Sequence, residues 1–307
     1  MDADPRPHRR AADGRGAVGC GGRRRRPAGT GLPGEGGVTR RIAGLAELAD
    51  GLAGVLVDQF GVLHDGHSAA PGAAACLAHL RARGIRIVAL TNSGRRAAEN
   101  AERLARFGFP PRLFDAVISS GELARARIAA MLAEGALPPG AAVAVIARGG
   151  DPGTLAGLPL RALPPGPGAA LVLIAGAEPE SVSLDAYARA LAPLARAGVP
   201  ALCANPDRWM QTRRGVAFGP GQIAGRYAAL GGPVEMLGKP GAEMFRAGLA
   251  ALGDPPPARC LMIGDSPEHD IAGAAAVGLR TLLVTSGPQS GTAAAVPPDH
   301  VIARLVW

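Results

Sequence analysis

Asp58-Gln59-Phe60-Gly61-Val62-Leu63, directly after the apolar run 52–57, is the stretch on which the fold turns. A short apolar run closed by a carboxylate reads as a buried strand with an acid at its C-terminal end. In open α/β sheets that end faces the ligand crevice. Two other stretches repeat the arrangement. Residues 85–90 lead into Thr91-Asn92-Ser93-Gly94, and residues 259–263 lead into Gly264-Asp265-Ser266, with Asp270 close behind. Each acid alone would serve as a helix cap or turn former, roles that Asp fills well. Three sequence-distant strand ends of this kind argue instead for one shared crevice.

Working outward, residues 71–83 read as a helix with Pro71 near its start and Gly84 as its stop. Residues 95–107 and 122–134 read as helices flanking a strand at 116–118. Near the other end, 242–252 is helical, 270–276 is a short helix, and 281–284 is a strand. This alternation predicts a Rossmann-like, three-layer α/β core around a mostly parallel sheet. The middle of the chain has apolar runs at 142–147, 169–175 and 199–204, and a helix at 183–197. Pro138-Pro139, the proline-rich 164–167 and Gly231-Gly232-Pro233 punctuate it. We expect an inserted α/β cap at 138–232 within a core made of 42–137 and 233–307.

The net charge of +8 is unevenly placed. Residues 1–41 hold ten arginines and four acids, a balance of +6, which leaves +2 for 42–307. That Gly/Pro/Arg-rich leader has almost no apolar periodicity and is expected to be disordered. Arg23 to Arg26 could attract nucleic acid or an anionic surface electrostatically. The rest lacks the basic–aromatic pattern of a nucleic-acid binder, so no such partner is expected for the folded domains. Cys20, Cys76, Cys203 and Cys260 show neither metal-ligand spacing nor a disulfide framework, which favours a reducing, cytoplasmic compartment. No apolar run approaches the length of a membrane span. A homodimer is left open.

Lys239 is the only lysine among 33 basic residues. Arginine carries all other positive charge, so a lone lysine between Gly238 and Pro240 points to a need for a compact ammonium that a planar guanidinium does not meet. With it the set is complete, and the chain resembles the haloacid dehalogenase-like phosphohydrolases, in their NagD-like class with a C2-type cap. Asp58 to Gly66 resembles the first motif, whose leading aspartate is the nucleophile. Thr91-Asn92-Ser93 resembles the phosphate-holding second motif, and Lys239 the lysine that neutralises phosphate and nucleophile. Gly264 to Asp270 resembles the acidic motif that positions magnesium. Asn205-Pro206-Asp207 is similar to a cap segment at the substrate entrance.

The resemblance implies a Mg²⁺-dependent phosphatase of small phosphorylated metabolites, with an aspartyl-phosphate intermediate. Asp58 and Lys239 would be catalytic, and Thr91, Asn92, Ser93, Lys239, Asn205 and Asp207 would bind substrate. Asp58, the Phe60 backbone carbonyl, Asp265 and Asp270 would hold the metal. The residue types suit this chemistry: concentrated phosphate charge must be offset before a carboxylate can attack, and magnesium prefers hard oxygen donors. One departure stands out. The family has a second aspartate two residues after the nucleophile, as general acid and base, where this chain has Phe60. His64, Asp65 and His67 in the next loop are candidate substitutes, although satisfying turns or facing solvent accounts for them better. The alternative function is a phosphate- or metabolite-binding protein that turns over slowly or not at all.

Overall fold

The computed structural model describes residues 39–150, 153–292 and 295–307. The expected leader up to residue 38 lies outside the described residues. Its last residues correct the expectation, however. Arg40–Arg41 is a strand, β1, so ordered structure begins before residue 42. Two charged residues carry no apolar signal; backbone pairing with the last strand orders them.

Beyond β1 the strands run β2 (Gly54–Asp58), β3 (Arg86–Thr91) and β4 (Ala116–Ser119), then β5 (Ala142–Ile146), β6 (Arg161–Leu163), β7 (Leu171–Ile174) and β8 (Ala201–Cys203). A hairpin, β9 (Trp209–Thr212) and β10 (Gly215–Phe218), precedes β11 (Val234–Met236), β12 (Cys260–Gly264), β13 (Arg280–Val284) and β14 (His300–Ile302). One sheet of seven strands has the order β1-β14-β13-β12-β2-β3-β4, and a second of five has β11-β8-β7-β5-β6. Every pairing within these two sheets is parallel. The fold is therefore α/β, as expected. The second sheet continues through β11, past residue 232, because Val234 to Met236 pair with Ala201 to Cys203. Three residues with a central glutamate were too short to show as a strand.

In the larger sheet the chain moves from β2 to β3 and β4 on one side, and from β12 to β13 and β14 on the other. The switch falls between β2 and β12, which pair directly. Helices cover both faces. Val55, Val57, Ile87, Leu261 and Ile263 pack on one side with Cys76, Leu77 and Leu80 of α1 (Ala73–Ala82) and Leu104 of α2 (Ala97–Arg106). Leu56, Val88, Leu90 and Met262 pack on the other with Ile128 of α3 (Ser120–Ala133). The smaller sheet packs on α4 (Leu184–Arg196) and α5 (Pro220–Ala229), and the hydroxyl of fully buried Tyr227 donates to the Val199 carbonyl at 2.6 Å. Met244 and Phe245 of α6 (Ala242–Ala251) complete the second face. Ser183 caps α4 by accepting from the Ala186 amide at 3.2 Å, as its position before the apolar-periodic stretch foretells.

Leu56 is fully buried at the centre of β2, between β12 and β3. Leu56→Ala should lower the unfolding free energy by about 2–5 kcal/mol in a denaturant titration, through lost burial and a residual cavity.

Candidate active site

The two central strands deliver the carboxylates. Asp58 is the last residue of β2, and Asp265 follows β12. Both are buried by neighbouring loops. After Asp58 the chain turns tightly, with the Leu63 and His64 amides both donating to the Gln59 carbonyl. Gly61 allows this turn: its φ is +89°, and a Cβ there would run into the Asp265 carboxylate. Gly264 meets a similar demand, since a Cβ would strike Asp270. The segment Pro267–Ala272 opens as a wide π turn rather than the expected plain helix from residue 270. There Asp270 accepts the Ser266 amide at 3.0 Å.

Lys239, between β11 and α6, sends its ammonium into this cluster. Its Nζ donates to Asp58 Oδ1 at 2.5 Å and to Asp270 Oδ1 at 2.6 Å. All four charged side chains are buried. Burial by itself lowers the lysine's pKa, but Asp270 and Asp58 together outweigh it, so the ammonium is retained. Burial pushes the Asp58 carboxyl well above its ordinary value against the pull of Lys239, and Asp270 and Asp265 push it further. Burial, then Asp270, pushes Asp265 up to about 7.

These residues fit a divalent cation. Asp58, Asp265 and Asp270 offer oxygens that all lie within 4.8 Å of one another. When all three carboxyl groups are ionised, one ammonium leaves two negative charges, which one divalent ion balances. Asp265 Oδ1 is buried with no hydrogen-bond partner among the described residues, while its Oδ2 accepts only the Gln289 amide at 3.1 Å. A buried carboxylate oxygen left unpaired is costly unless a cation meets it. Hard oxygen donors of this kind suit Mg²⁺.

Asn92 links three parts of the site. Its Oδ1 accepts the Lys239 amide at 2.7 Å, and its Nδ2 donates to the Lys239 carbonyl at 3.1 Å and to Asp207 Oδ1 at 2.8 Å. Thr91 Oγ1 accepts the Ser93 amide at 3.2 Å. Asn205 Oδ1 accepts the Asp207 amide at 3.1 Å, shaping the turn that presents Asp207. A cleft of about 240 Å³ is lined by Asp58, Phe60, Thr91, Asn92, Ser93, Asn205, Asp207, Lys239, Asp265 and Asp270. The structure thus brings the residues expected to act in catalysis, substrate binding and metal binding to one place, although the Asn92 amide is already engaged in holding Lys239 and Asp207.

Of the loop groups offered in place of the absent aspartate, Asp65 is engaged within its own loop and His64 is buried. Asp65 accepts the Ser68 and His67 amides at 2.7 and 2.8 Å, and these bonds hold its carboxyl down to about 2. The Gly66 amide donates to His64 Nδ1 at 3.1 Å, so the proton of the neutral ring resides on Nε2, which is buried and unpartnered. Burial lowers His64 to about 4, leaving it neutral at ordinary pH. The same cleft is lined by Arg103, Met210, Gln211, His269 and Gln289, which the sequence reading passed over. His269 adjoins Asp270 and lies 3.6 Å from Asp207, so its place was readable from the motif. Arg103 lies on α2, outside any motif, and only the fold brings it here.

Comparison with known proteins agrees with this geometry. The family model described as haloacid dehalogenase-like hydrolase matches residues 55–156, and a second, HAD-hydrolase-like, matches 236–307. A D-glycerol 3-phosphate phosphatase of Mycobacterium tuberculosis is 31% identical over 237 residues, covering 77% of this chain and 64% of its own. This chain therefore spans less than two thirds of that relative. A glycerol-3-phosphate phosphatase of Gallus gallus is 33% identical over 262 residues, covering 76% of this chain and 79% of its own. The crystal structure of a haloacid dehalogenase-like hydrolase from Brucella suis 1330 superposes with a TM-score of 0.76 at 27% identity, over 86% of this chain and 100% of that one. The chain belongs to the haloacid dehalogenase-like hydrolases.

Proposed function

We propose that this protein is a Mg²⁺-dependent phosphatase of small phosphomonoesters, such as sugar phosphates or nucleotides, acting through an aspartyl-phosphate on Asp58. The observation that carries this reading is the buried Lys239 ammonium joining Asp58 to Asp270, beside the unpaired oxygen of Asp265. The relatives named for glycerol phosphate support the substrate class.

Lys239 holds one oxygen of Asp58 and leaves the other for attack on phosphorus. Thr91 and the amides beside it hold the phosphoryl oxygens as the bond to the leaving oxygen breaks and its electron pair departs with that oxygen. Water then attacks the aspartyl-phosphate, releasing phosphate and restoring the Asp58 carboxylate. Mg²⁺, held by Asp58, Asp265, Asp270 and the Phe60 carbonyl, would supply positive charge for the phosphoryl oxygens. Asn205 and Asp207 would meet the leaving group where the cap reaches the cleft. The free, buried Cys76, Cys203 and Cys260 suit a reducing compartment such as the cytoplasm.

Phe60 favours a second reading, a phosphate-binding protein of slow turnover. The ring occupies the position of the proton donor, and neither His64 nor Asp65 is free to take its place. General acid–base help is typically worth ~10²–10⁴-fold.

A screen of purified protein with Mg²⁺ against diverse phosphomonoesters tests the two readings. Phosphate release supports the first, and binding without release supports the second. Asp58→Asn, similar in shape but without the nucleophilic charge, should abolish phosphate release while circular dichroism stays unchanged. Lys239→Ala should lower kcat/KM by ~10²-fold or more at saturating Mg²⁺, since a positive charge aimed at the reacting phosphoryl is lost. An unchanged kcat/KM would remove Lys239 from the mechanism. Phe60→Asp should raise turnover of alkyl phosphates, which need leaving-group protonation, more than that of activated aryl phosphates. Equal gains, or none in a folded variant, would show that the missing acid is not what limits the reaction.

A further inference from the structure

Beside the reaction cleft lies a larger chamber of about 620 Å³, and Arg103 lines both. Its guanidinium is placed by packing. It lies 5.7 Å from the centre of the Phe107 ring; Phe107 stacks on His64 at 4.5 Å, and His64 meets Phe60 edge-on at 6.1 Å. Arg103 Nη2 and the Phe60 ring edge are 3.6 and 3.4 Å from the same point, where a Cβ on Gly66 would sit. The cation therefore stands next to the residue two places after Asp58, at the passage from cleft to chamber.

Most other half-buried arginines are paired, Arg280 being the exception. Arg96 is bonded to Glu122, Arg81 to Asp115, and Arg125 to the carbonyls of Thr154 and Ala156. Arg103 has no hydrogen bond or ion pair among the described residues, only its contact with Phe107. Burial, reinforced by repulsion from Arg95 and Arg106, disfavours its charge. The chamber's carboxylates do not relieve it: Asp65 is held by loop amides, and Glu99 forms no ion pair with it. Exposed Arg95 and Arg213 add positive charge to the same chamber. A desolvated guanidinium without an acceptor is costly, and its planar fork matches a carboxylate or phosphoryl group.

We propose that Arg103 reads a second anionic group, carboxylate or phosphoryl, on the leaving-group side of the substrate. Preferred substrates would then be small phosphate esters carrying two separated anionic groups, rather than esters of neutral alcohols. This inference rests on the phosphomonoester reading above and narrows it.

The test uses substrate pairs that differ in the second anion. Glycerol 3-phosphate is compared with 3-phosphoglycerate for a carboxylate, and fructose 6-phosphate with fructose 1,6-bisphosphate for a phosphoryl. The wild-type protein should show a kcat/KM about 10- to 100-fold higher for the anionic member of at least one pair, expressed mainly in KM. Which pair responds identifies the group. Arg103→Gln, verified as folded by circular dichroism, should erase that preference, and Arg103→Lys should restore only part of it. No wild-type preference, or equal losses on both members of each pair in Arg103→Gln, would overturn the proposal. If the wild-type protein releases phosphate from none of the four, the diverse phosphomonoester screen decides the phosphatase reading, and calorimetric titration of the same pairs decides the role of Arg103. Tighter binding of an anionic member that disappears in Arg103→Gln would sustain it; equal binding within each pair would refute it.

Discussion

The site depends on one buried ammonium. Lys239 lies between Asp58 and Asp270 with Asp265 close by, and none of these groups reaches bulk water. Buried charges are tolerated only with good geometry and full pairing. Lys239 is paired with two carboxylates, and Asn92 fixes its backbone on both sides, through the amide and the carbonyl. The ammonium thereby becomes a fixed part of the site rather than a mobile side chain. The cluster still carries an excess of negative charge and one unpartnered carboxylate oxygen. Those features make sense for a site built to work with a divalent cation and an incoming phosphate, and they are a burden otherwise.

The same asparagine joins the core to the smaller sheet's region. Asn92 Nδ2 donates to Asp207, which follows β8, so the loop presenting Thr91 and Ser93 and the cap segment at residues 205–207 share one side chain. Close backbone packing adds to this junction: a Cβ on Gly94 would collide with the Ala175 carbonyl just beyond β7. Lys239, the Thr91 to Ser93 loop and the segment 205–207 are thus held in a single frame. Phe60 and the rings behind it make the adjacent wall apolar, which strengthens the electrostatic effect of the few charges that remain.

Much of this was readable from the sequence where a local pattern coincided with a global role. An apolar run ending in Asp58 reveals a buried strand and its functional end together, as does the run before Asp265. The lone lysine stood out because arginine fills every ordinary cationic position. Edges and hairpins were less legible. Arg40–Arg41 and Val234–Met236 are strands because neighbours pair with their backbones, and pairing leaves no mark in two or three residues. In the hairpin of β9 and β10 the apolar Trp209 and Val216 stand at exposed positions, so apolar residue types do not mark its buried face. Arg103 lies on a helix whose face toward the cleft is set by the packing of α2, so no short motif announces it.

The central claim is that Asp58, held by the Lys239 ammonium, takes the phosphoryl group. Rapid acid quenching during turnover, followed by proteolysis and mass spectrometry, tests it most directly. The account predicts one added phosphoryl group on the peptide containing Asp58, in the presence of substrate and Mg²⁺ and lost on treatment with hydroxylamine. Phosphate release without any phosphorylated peptide, or with the phosphoryl group on a peptide lacking Asp58, would contradict it.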